Sequence, residues 1–321
     1  MAGGLGYLSL RPVARAAPLE IVVNRGPDRV ARGKYIFHVV SSCWDCHSKV
    51  DDTRFGFPVV PGGLAVGKPL PEAMGLPGKM VAVNLTQDAE TGSASWTDGQ
   101  LIRAIREGIG HDDRVLFPVM PYTEYSAMSD DDVQSLVAYI RTFAPVRNPL
   151  PKTEISFPVN LLIKSTPQPV GSVAVPDKSN PVAYGKYLTK IAGCKFCHTP
   201  VKNDSPIPGK EFSGGHEFPF APGARAVSAN LTPDSETGIG QMSEKEFLDK
   251  FSQYKEYAEK GPPKIDPVAN SAMPWLGLCQ LEDNDLKAIF AYLKTLPPIP
   301  NAVVTHPDAP EEKLLKKKAG K

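Results

Sequence analysis

The sequence lacks the features that mark several large classes of protein. Aromatic residues make up only 8% of the 321 residues, and 36 Lys and Arg nearly balance 35 Asp and Glu, so no large positive charge attracts nucleic acid. No uncharged apolar run reaches the ~18 residues of a membrane span. The alternating pattern of half-buried strands is almost absent. We therefore expect no nucleic-acid partner and no transmembrane helix, and few strands.

Apolar residues and prolines, in contrast, are plentiful. The chain is 41% hydrophobic, enough for folded cores, and has 33 prolines, roughly twice the usual ~5%. Its length suggests two domains at ~100–200 residues each. Residues 1–28 begin with an apolar stretch that no basic region precedes. We interpret them as the remnant of a signal peptide or membrane anchor, with a flexible leader as the alternative.

An internal repeat organises the rest of the chain. Segments that recur in the same order are Gly33-Lys-Tyr-Ile36 and Gly185-Lys-Tyr-Leu188, Cys43-Trp-Asp-Cys46-His47 and Cys194-Lys-Phe-Cys197-His198, Gly62-Gly63 and Gly214-Gly215, Asn84-Leu-Thr86 and Asn230-Leu-Thr232, and Met120-Pro-Tyr122 and Met273-Pro-Trp275. This order predicts one domain at 29–149 and a second at 181–300. A proline-rich, extended strap at 150–180 joins them, and a basic tail follows at 301–321.

Each copy is predicted to be helical. First helices are expected at about 28–41 and 180–192. Thr97 with Gln100, and Ser243 with Glu246, have the spacing of capping boxes and start a second helix in each copy. Apolar residues at helical spacing predict the closing helices, the first capped by Ser129: they are Val133, Leu136, Val137, Ile140, Leu286, Ile289, Phe290 and Leu293.

The Cys-x-x-Cys-His motifs carry the chemistry. Two cysteines at this spacing form thioether bonds to the vinyl groups of a haem, and the adjacent histidine becomes the proximal iron ligand. Zinc binding and thioredoxin-like redox chemistry are the alternatives. Zinc does not require a histidine at the fifth position twice, and no strand-rich thioredoxin pattern surrounds either motif. We predict two covalently bound haem c groups, one on Cys43 and Cys46 with His47, the other on Cys194 and Cys197 with His198.

A second axial ligand is predicted from the methionines. Of seven methionines, only Met120 and Met273 are repeat partners, and each is followed by a proline that stiffens its loop. A thioether ligand favours ferrous iron and raises the potential. We predict that both ligate iron, with His111 and His216 as reserve candidates. The alternative is that both methionines are ordinary core residues.

Three further residues invite a functional interpretation. Asn84 and Asn230 each open an Asn-Leu-Thr turn, and either bind haem propionates or fix the turn through backbone hydrogen bonds. Cys279 aligns with Ser126 six residues past the axial methionine. It is interpreted as a buried thiol, with a thiolate ligand of the second haem as the alternative.

These motifs resemble those of di-haem class I cytochromes c, and especially the cytochrome c subunits of membrane-bound bacterial alcohol, aldehyde and gluconate dehydrogenases. The likeness covers about 30–300 and includes Asn230-Leu-Thr-Pro-Asp-Ser-Glu-Thr-Gly-Ile-Gly240. It implies an all-α fold of two tandem class I cytochrome c domains. Those subunits commonly carry three haem motifs, whereas this sequence has two.

The resemblance also implies a role. It indicates a relay of electrons from a donor dehydrogenase to a respiratory acceptor, with no catalytic residues. The alternatives are a di-haem enzyme, such as a thiosulfate dehydrogenase or peroxidase, and a haem-bearing subunit of a larger respiratory complex. Covalent haem attachment takes place outside the cytoplasmic membrane, so the expected location is the periplasm or the outer membrane face, with membrane association through a missing N-terminal anchor.

Overall fold

The computed structural model describes residues 13–202 and 205–310, which form two compact units. Unit 1 contains residues 13–37 together with Cys46–Lys49 and Gly63–Val175. Unit 2 contains His38–Asp45, Val50–Gly62 and the described residues within 176–310. Residues 1–12 of the predicted leader at 1–28, and residues 311–321 of the predicted tail, lie outside the described residues.

Helices form the cores of both units. Along the chain they are α1 (Pro27–Tyr35), α2 (Cys43–His47), α3 (Asp98–Glu107), α4 (Tyr122–Tyr125), α5 (Asp130–Ile140), α6 (Val159–Leu162), α7 (Pro181–Ile191), α8 (Cys194–Cys197), α9 (Glu244–Ser252), α10 (Lys255–Lys260), α11 (Trp275–Leu278) and α12 (Asp283–Leu293). A π-helical segment, Ile36–Val40, continues α1. The predicted first helices are thus confirmed. Within residues 13–202 and 205–310, no helix has the length and hydropathy needed to cross a bilayer.

The predicted capping residues start their helices as expected. Before α3, Thr97 Oγ1 accepts a hydrogen bond from Gln100 N (3.1 Å), and Gln100 Oε1 accepts one from Thr97 N (2.8 Å). Ser243 and Glu246 form the same reciprocal pair before α9. Ser129 caps α5. Each side chain satisfies a backbone N–H that the first helical turn leaves without a partner.

The apolar faces of the closing helices are buried, as the spacing predicts. In unit 1, α5 packs on α1, and in unit 2, α12 packs on α7. Both crossings depend on a glycine at the point of closest approach. A Cβ atom on Gly33 would lie 1.8 Å from Ser135 O, and one on Gly185 would lie 1.9 Å from Ala288 O. The glycine of the repeated Gly-Lys-Tyr sequence therefore lies at a helix crossing that is too close for any side chain.

Replacing Gly33 by alanine should destabilise unit 1, although alanine is favoured over glycine by about 1 kcal/mol in an unconstrained helix. The added methyl group collides with a backbone carbonyl that cannot move independently of α5, so we expect a net loss of about 1–3 kcal/mol, typical of overpacking. Denaturant unfolding measures the change. Gly171→Ala is the control, because its Cβ would meet nothing within 4 Å. A Gly33→Ala protein as stable as the control would contradict the crossing.

The described residues also contain short strands, which the all-α prediction did not include. Four two-stranded antiparallel sheets pair β1 (Lys68–Pro69) with β3 (Val81–Ala82), β2 (Gly78–Lys79) with β4 (Glu154–Ile155), β5 (Val201–Lys202) with β6 (Ser205–Pro206), and β7 (Glu217–Ala221) with β8 (Ala224–Val227). Most are two residues long, too short to produce a readable alternation of apolar and polar residues. They fasten loops and do not form a core layer.

Residues 150–175, most of the predicted strap, belong to unit 1 and are not extended throughout. The segment pairs with β2 through β4 and then forms α6. Beyond α6, Asp130 N donates to Val173 O (2.9 Å), and Arg106 Nη2 donates to Gly171 O (2.8 Å). Prolines prevent long helices here, but hydrogen bonds to neighbouring loops and helices still hold the segment.

Part of the predicted leader is also integrated into unit 1. Val23 is 3% exposed, and its backbone N–H donates to Asp98 Oδ2 (2.8 Å) at the start of α3. A Cβ atom on Gly99 would lie 1.9 Å from Leu19 O, so this segment runs directly against α3. The backbone of Leu19 and the buried Val23 therefore lie against α3 in unit 1.

Candidate functional site

The two Cys-x-x-Cys-His motifs form short helices, α2 and α8, and the residue before each adopts a left-handed backbone conformation. Its φ is 45° at Ser42 and 69° at Gly193. Such a residue turns the chain sharply into the helix, and glycine adopts this conformation without strain. The four motif cysteines are partly exposed. The helical turn places both thiols of a motif on one side, with the histidine following.

Both motif histidines are oriented by the same hydrogen bond. His47 Nδ1 donates to Val83 O (2.8 Å), and His198 Nδ1 donates to Ala229 O (2.7 Å). Because a carbonyl only accepts, Nδ1 carries the proton and Nε2 keeps its lone pair. Burial lowers the pKa of both histidines, so both rings are neutral at pH 7. A neutral imidazole with Nε2 available, beside two thiols, fits the donor set that haem c requires.

A glycine behind each histidine brings two chain segments together. Gly67 N donates to His47 O (2.8 Å), and Gly214 N donates to His198 O (2.7 Å). Their φ values are 75° and 73°. A Cβ atom on either would lie within 2.6 Å of a backbone carbonyl oxygen, that of Ala82 or Ser228. Glycine is required at both positions by conformation and by space.

This equivalence corrects the repeat alignment. The sequence repeat pairs Gly62-Gly63 with Gly214-Gly215, but the structural counterpart of Gly214 is Gly67. From motif histidine to this glycine the chain takes 20 residues in the first copy (47 to 67) and 16 in the second (198 to 214). The sequence match was wrong because the extra residues precede the glycine, in the segment 50–62 that belongs to unit 2.

Asn84 and Asn230 lie in matching hydrogen-bond networks. Asn84 Nδ2 donates to Val146 O (2.9 Å) and to Thr91 Oγ1 (3.2 Å), and Asn230 Nδ2 donates to Ile299 O (2.8 Å) and Thr237 Oγ1 (3.1 Å). Each Oδ1 accepts from the backbone N–H two residues on. Of the two roles left open by the sequence, these bonds support fixing the turn. Both amide groups already have internal partners.

The sequence reasoning missed a second pair of asparagines, Asn148 and Asn301. Asn148 Nδ2 donates to Val66 O (2.7 Å), and Asn301 Nδ2 donates to Ser213 O (2.9 Å). Each backbone N–H also donates to the threonine that the first asparagine bonds. They tie the chain after each closing helix to the loop behind the motif histidine. The available signal is their identical type at a separation of 153 residues, the same as that of Met120 and Met273.

The two methionine loops share a backbone geometry. The carbonyl of Met120 accepts from Tyr122 N and that of Met273 from Trp275 N, both at 2.7 Å, and the short helices α4 and α11 follow directly. Both methionines are half-buried. Met80 and Met128, which have no repeat partner, lie in the core at 4% and 0% exposure. Ligation by Met120 and Met273 stays a prediction.

The remaining candidates occupy different surroundings. His111 packs against Trp96 with ring centroids 4.3 Å apart, and His216 stacks on Phe218 at the same separation. Cys279 is fully buried, and its sulfur lies 3.6 Å from Leu276 O. Burial raises the pKa of the Cys279 thiol to about 11, so the group is protonated at neutral pH. A protonated thiol is a poor iron ligand.

The region that contains the first motif matches a known protein family. Residues 30–144 match the cytochrome c family. Over 291 residues, the chain is 29% identical to the fructose dehydrogenase cytochrome subunit of Gluconobacter japonicus, covering 84% of this chain and 52% of that protein. It is 27% identical over 308 residues to the cytochrome c subunit of the quinone alcohol dehydrogenase of Gluconobacter oxydans (strain 621H), covering 91% and 59%.

A third relative has nearly the same length. The chain is 28% identical over 313 residues to a diheme cytochrome c-type protein of Cereibacter sphaeroides, covering 93% of this chain and 95% of that protein. The chain spans only about half to three-fifths of the length of the two dehydrogenase subunits. The resemblance predicted from the motifs is confirmed.

Proposed function

Starting from a chain with a cytochrome c domain at residues 30–144 and similarity to cytochrome c subunits of bacterial dehydrogenases, we propose that this protein is a di-haem electron carrier. Cys43 and Cys46 bind one haem c covalently, and Cys194 and Cys197 bind the second. The observation that carries the proposal is the duplicated histidine hydrogen bond, His47 to Val83 O and His198 to Ala229 O. The second copy reproduces the oriented ligand of the first.

Each bound haem supplies an iron that exchanges one electron between its ferric and ferrous states. The protein's contribution is to hold ligands still, because a ligand that moved with each electron would slow the exchange. The backbone carbonyls fix the tautomer and orientation of His47 and His198. Met120 and Met273 would supply a thioether ligand to each iron beside the histidine, and an iron held by both residues would have no place for substrate.

The frame around each proposed haem is built twice from the same residue types. Asn84 with Asn148, and Asn230 with Asn301, connect the loop behind the histidine to the chain after the closing helix. The residues form two tandem class I cytochrome c domains in this proposal. Such a frame limits motion around the iron, which suits repeated electron transfer without chemical change of the protein.

The proposed partners and location follow from the relatives. We infer a dehydrogenase as donor and a respiratory component as acceptor, because relatives include cytochrome subunits of fructose and alcohol dehydrogenases. The proposed location is the periplasm or the outer face of the cytoplasmic membrane, where haem is attached to thiols. Membrane association through an N-terminal anchor belongs to the same proposal.

The test is to mix the ferric protein rapidly with a quinone-dependent alcohol dehydrogenase and ethanol and to follow the absorbance of ferrous haem. Two one-electron reductions per chain, followed by reoxidation with an added quinone analogue or terminal oxidase, are expected. Steady-state turnover of thiosulfate or hydrogen peroxide by the purified protein would instead support the enzyme alternatives. Reduction of one haem only would contradict a two-haem relay.

Cys279 separates the carrier from a thiosulfate-type enzyme. We expect Cys279→Ser to leave both haem spectra and the rate of electron transfer unchanged, because the thiol is buried and protonated. A modest loss of stability, about 1–3 kcal/mol, is expected if the new hydroxyl finds no partner. Visible spectroscopy and stopped-flow reduction measure the outcome. A shifted potential of one haem, with loss of thiosulfate turnover, would show that the sulfur acts at the iron.

A further inference from the structure

The two methionine loops are fixed in different ways. In the first, Met120 N donates to the backbone carbonyl of Phe117 (3.1 Å). In the second, Met273 N donates to a side chain, Ser271 Oγ (3.2 Å). The difference has a sequence cause, because Asn270-Ser271 stands where the first copy has Phe117-Pro118. Side chains therefore hold the second methionine where backbone holds the first.

Ser271 connects the second methionine to the tryptophan two residues after it. Its hydroxyl oxygen accepts from Met273 N and also from Trp275 Nε1 (3.1 Å). Ser271 is only 7% exposed. Because one buried oxygen binds groups before and after Pro274, the loop cannot shift without breaking at least one of these bonds.

Asn270 extends this network to a segment far away in sequence. Its Oδ1 accepts from Ser271 N (2.9 Å) and from Gly56 N (2.9 Å), and its Nδ2 donates to Arg54 O (3.0 Å). The side chain is fully buried at 0% exposure. A buried amide with three internal partners has one orientation, since any other leaves polar groups without partners.

The segment that Asn270 binds is itself fixed within unit 2. Phe55 N donates to Pro263 O (3.0 Å), Ile265 N donates to Thr53 O (3.1 Å), and Arg54 Nη1 donates to Pro262 O (2.7 Å). Residues 54–56 follow the first Cys-x-x-Cys-His motif in sequence but belong to the same unit as Met273. They therefore offer Asn270 a rigid edge.

Aromatic contacts also connect residues 54–56 with the second methionine loop. Phe55 stacks on Tyr254 with ring centroids 5.2 Å apart, and Tyr254 packs on Trp275 at 4.7 Å. Phe55 is 3% exposed. Trp275 is thus held by a ring contact on one side and by its hydrogen bond to Ser271 on the other. Residues 54–56 reach the methionine loop both through Asn270 and through Trp275.

We propose that Asn270 and Ser271 are positioning residues that hold Met273 for ligation of the second haem, and that residues 54–56 of the first repeat set this position. The inference rests on the proposed function, in which Met273 is an axial ligand. It predicts that the methionine bond of the second haem can be weakened without touching either haem motif. The first haem, whose methionine loop is held by the backbone bond from Met120 N to Phe117 O, should not respond.

Ser271→Ala is the direct test. Losing this acceptor should raise the fraction of second-site iron without its methionine about fivefold to tenfold, the change expected from one hydrogen bond. In ferric protein, about half of the long-wavelength methionine–iron absorption should then disappear on warming, well below the unfolding temperature measured by circular dichroism. The potential of one haem should fall and the other should stay. Ser271→Thr, which keeps the hydroxyl, should restore both signals.

Asn270→Ala tests the connection to residues 54–56. In this variant too, the methionine–iron absorption should disappear at a temperature well below the unfolding temperature. The matched control is Leu286→Val, which removes a buried methylene from α12 in unit 2. In this control, the temperature at which the absorption disappears and the unfolding temperature should fall by the same amount. If both Asn270→Ala and Ser271→Ala behaved like the control, the two residues would be merely structural and the inference would be overturned. Wild-type protein lacking a two-site methionine band would instead overturn the proposed ligation, a separate failure.

Discussion

Replacing Cys194 and Cys197 together by alanine should remove one of two covalently bound haems and leave the other spectrally normal. The two thiols are the only covalent attachment proposed for the second haem, so the loss is complete for that site. His198 remains oriented by Ala229 O, but an imidazole alone does not retain haem through denaturation. A pyridine haemochrome assay on purified protein gives the haem content per chain, with an expected change from two to one.

The chain offers matched controls for this experiment. Replacing Cys43 and Cys46 by alanine should remove the other haem with the complementary spectrum remaining. Cys279→Ser also removes a thiol, but that thiol lies in the core, so both haems should stay. Acid–acetone extraction of the colour from wild-type protein, or a content of one haem before any substitution, would contradict covalent attachment at two sites.

Met120→His should lower the potential of one haem while keeping it low-spin. Imidazole favours ferric iron more than a thioether does, so the ferrous state loses stability. The expected fall is on the order of 100 mV, a modest part of the ~0.8 V range that axial ligands set. A redox titration followed by visible spectroscopy should show one wave displaced and one unchanged. The long-wavelength methionine–iron absorption should fall to about half.

Two other methionine substitutions make this result specific. Met273→His should displace the other wave, so that each variant assigns one potential to one site. Met128→Leu replaces a fully buried methionine by a residue of similar volume and should move neither wave. If Met120→His left both potentials and the absorption band unchanged, Met120 would not be a ligand. His111 would then become the candidate of the first copy, and His216 would become that of the second only if Met273→His failed in the same way.

Some features of this fold could be predicted from the sequence and others could not. The capping boxes at Thr97 and Ser243 and the buried stripe of α5 were predictable because each depends on residues within one or two helical turns. The short strands were not, because strands of two residues carry no periodic signal. The glycine behind the first histidine was misassigned for a related reason. Gly62-Gly63 has the same two residues as Gly214-Gly215. The hydrogen bond from Gly67 N to His47 O shows that Gly67 is the counterpart of Gly214.

The candidate site divides in the same way. By itself, the sequence determined the residue types of both proposed haem sites, since covalent chemistry requires two thiols and a histidine at a spacing that any reader can find. Tertiary structure alone decided how those residues are held. The partners of His47, Asn84 and Asn270 are 36, 62 and 216 residues away in sequence. Hydrogen bonds to backbone carbonyls at such separations leave no trace in local composition, because every residue carries the same carbonyl group.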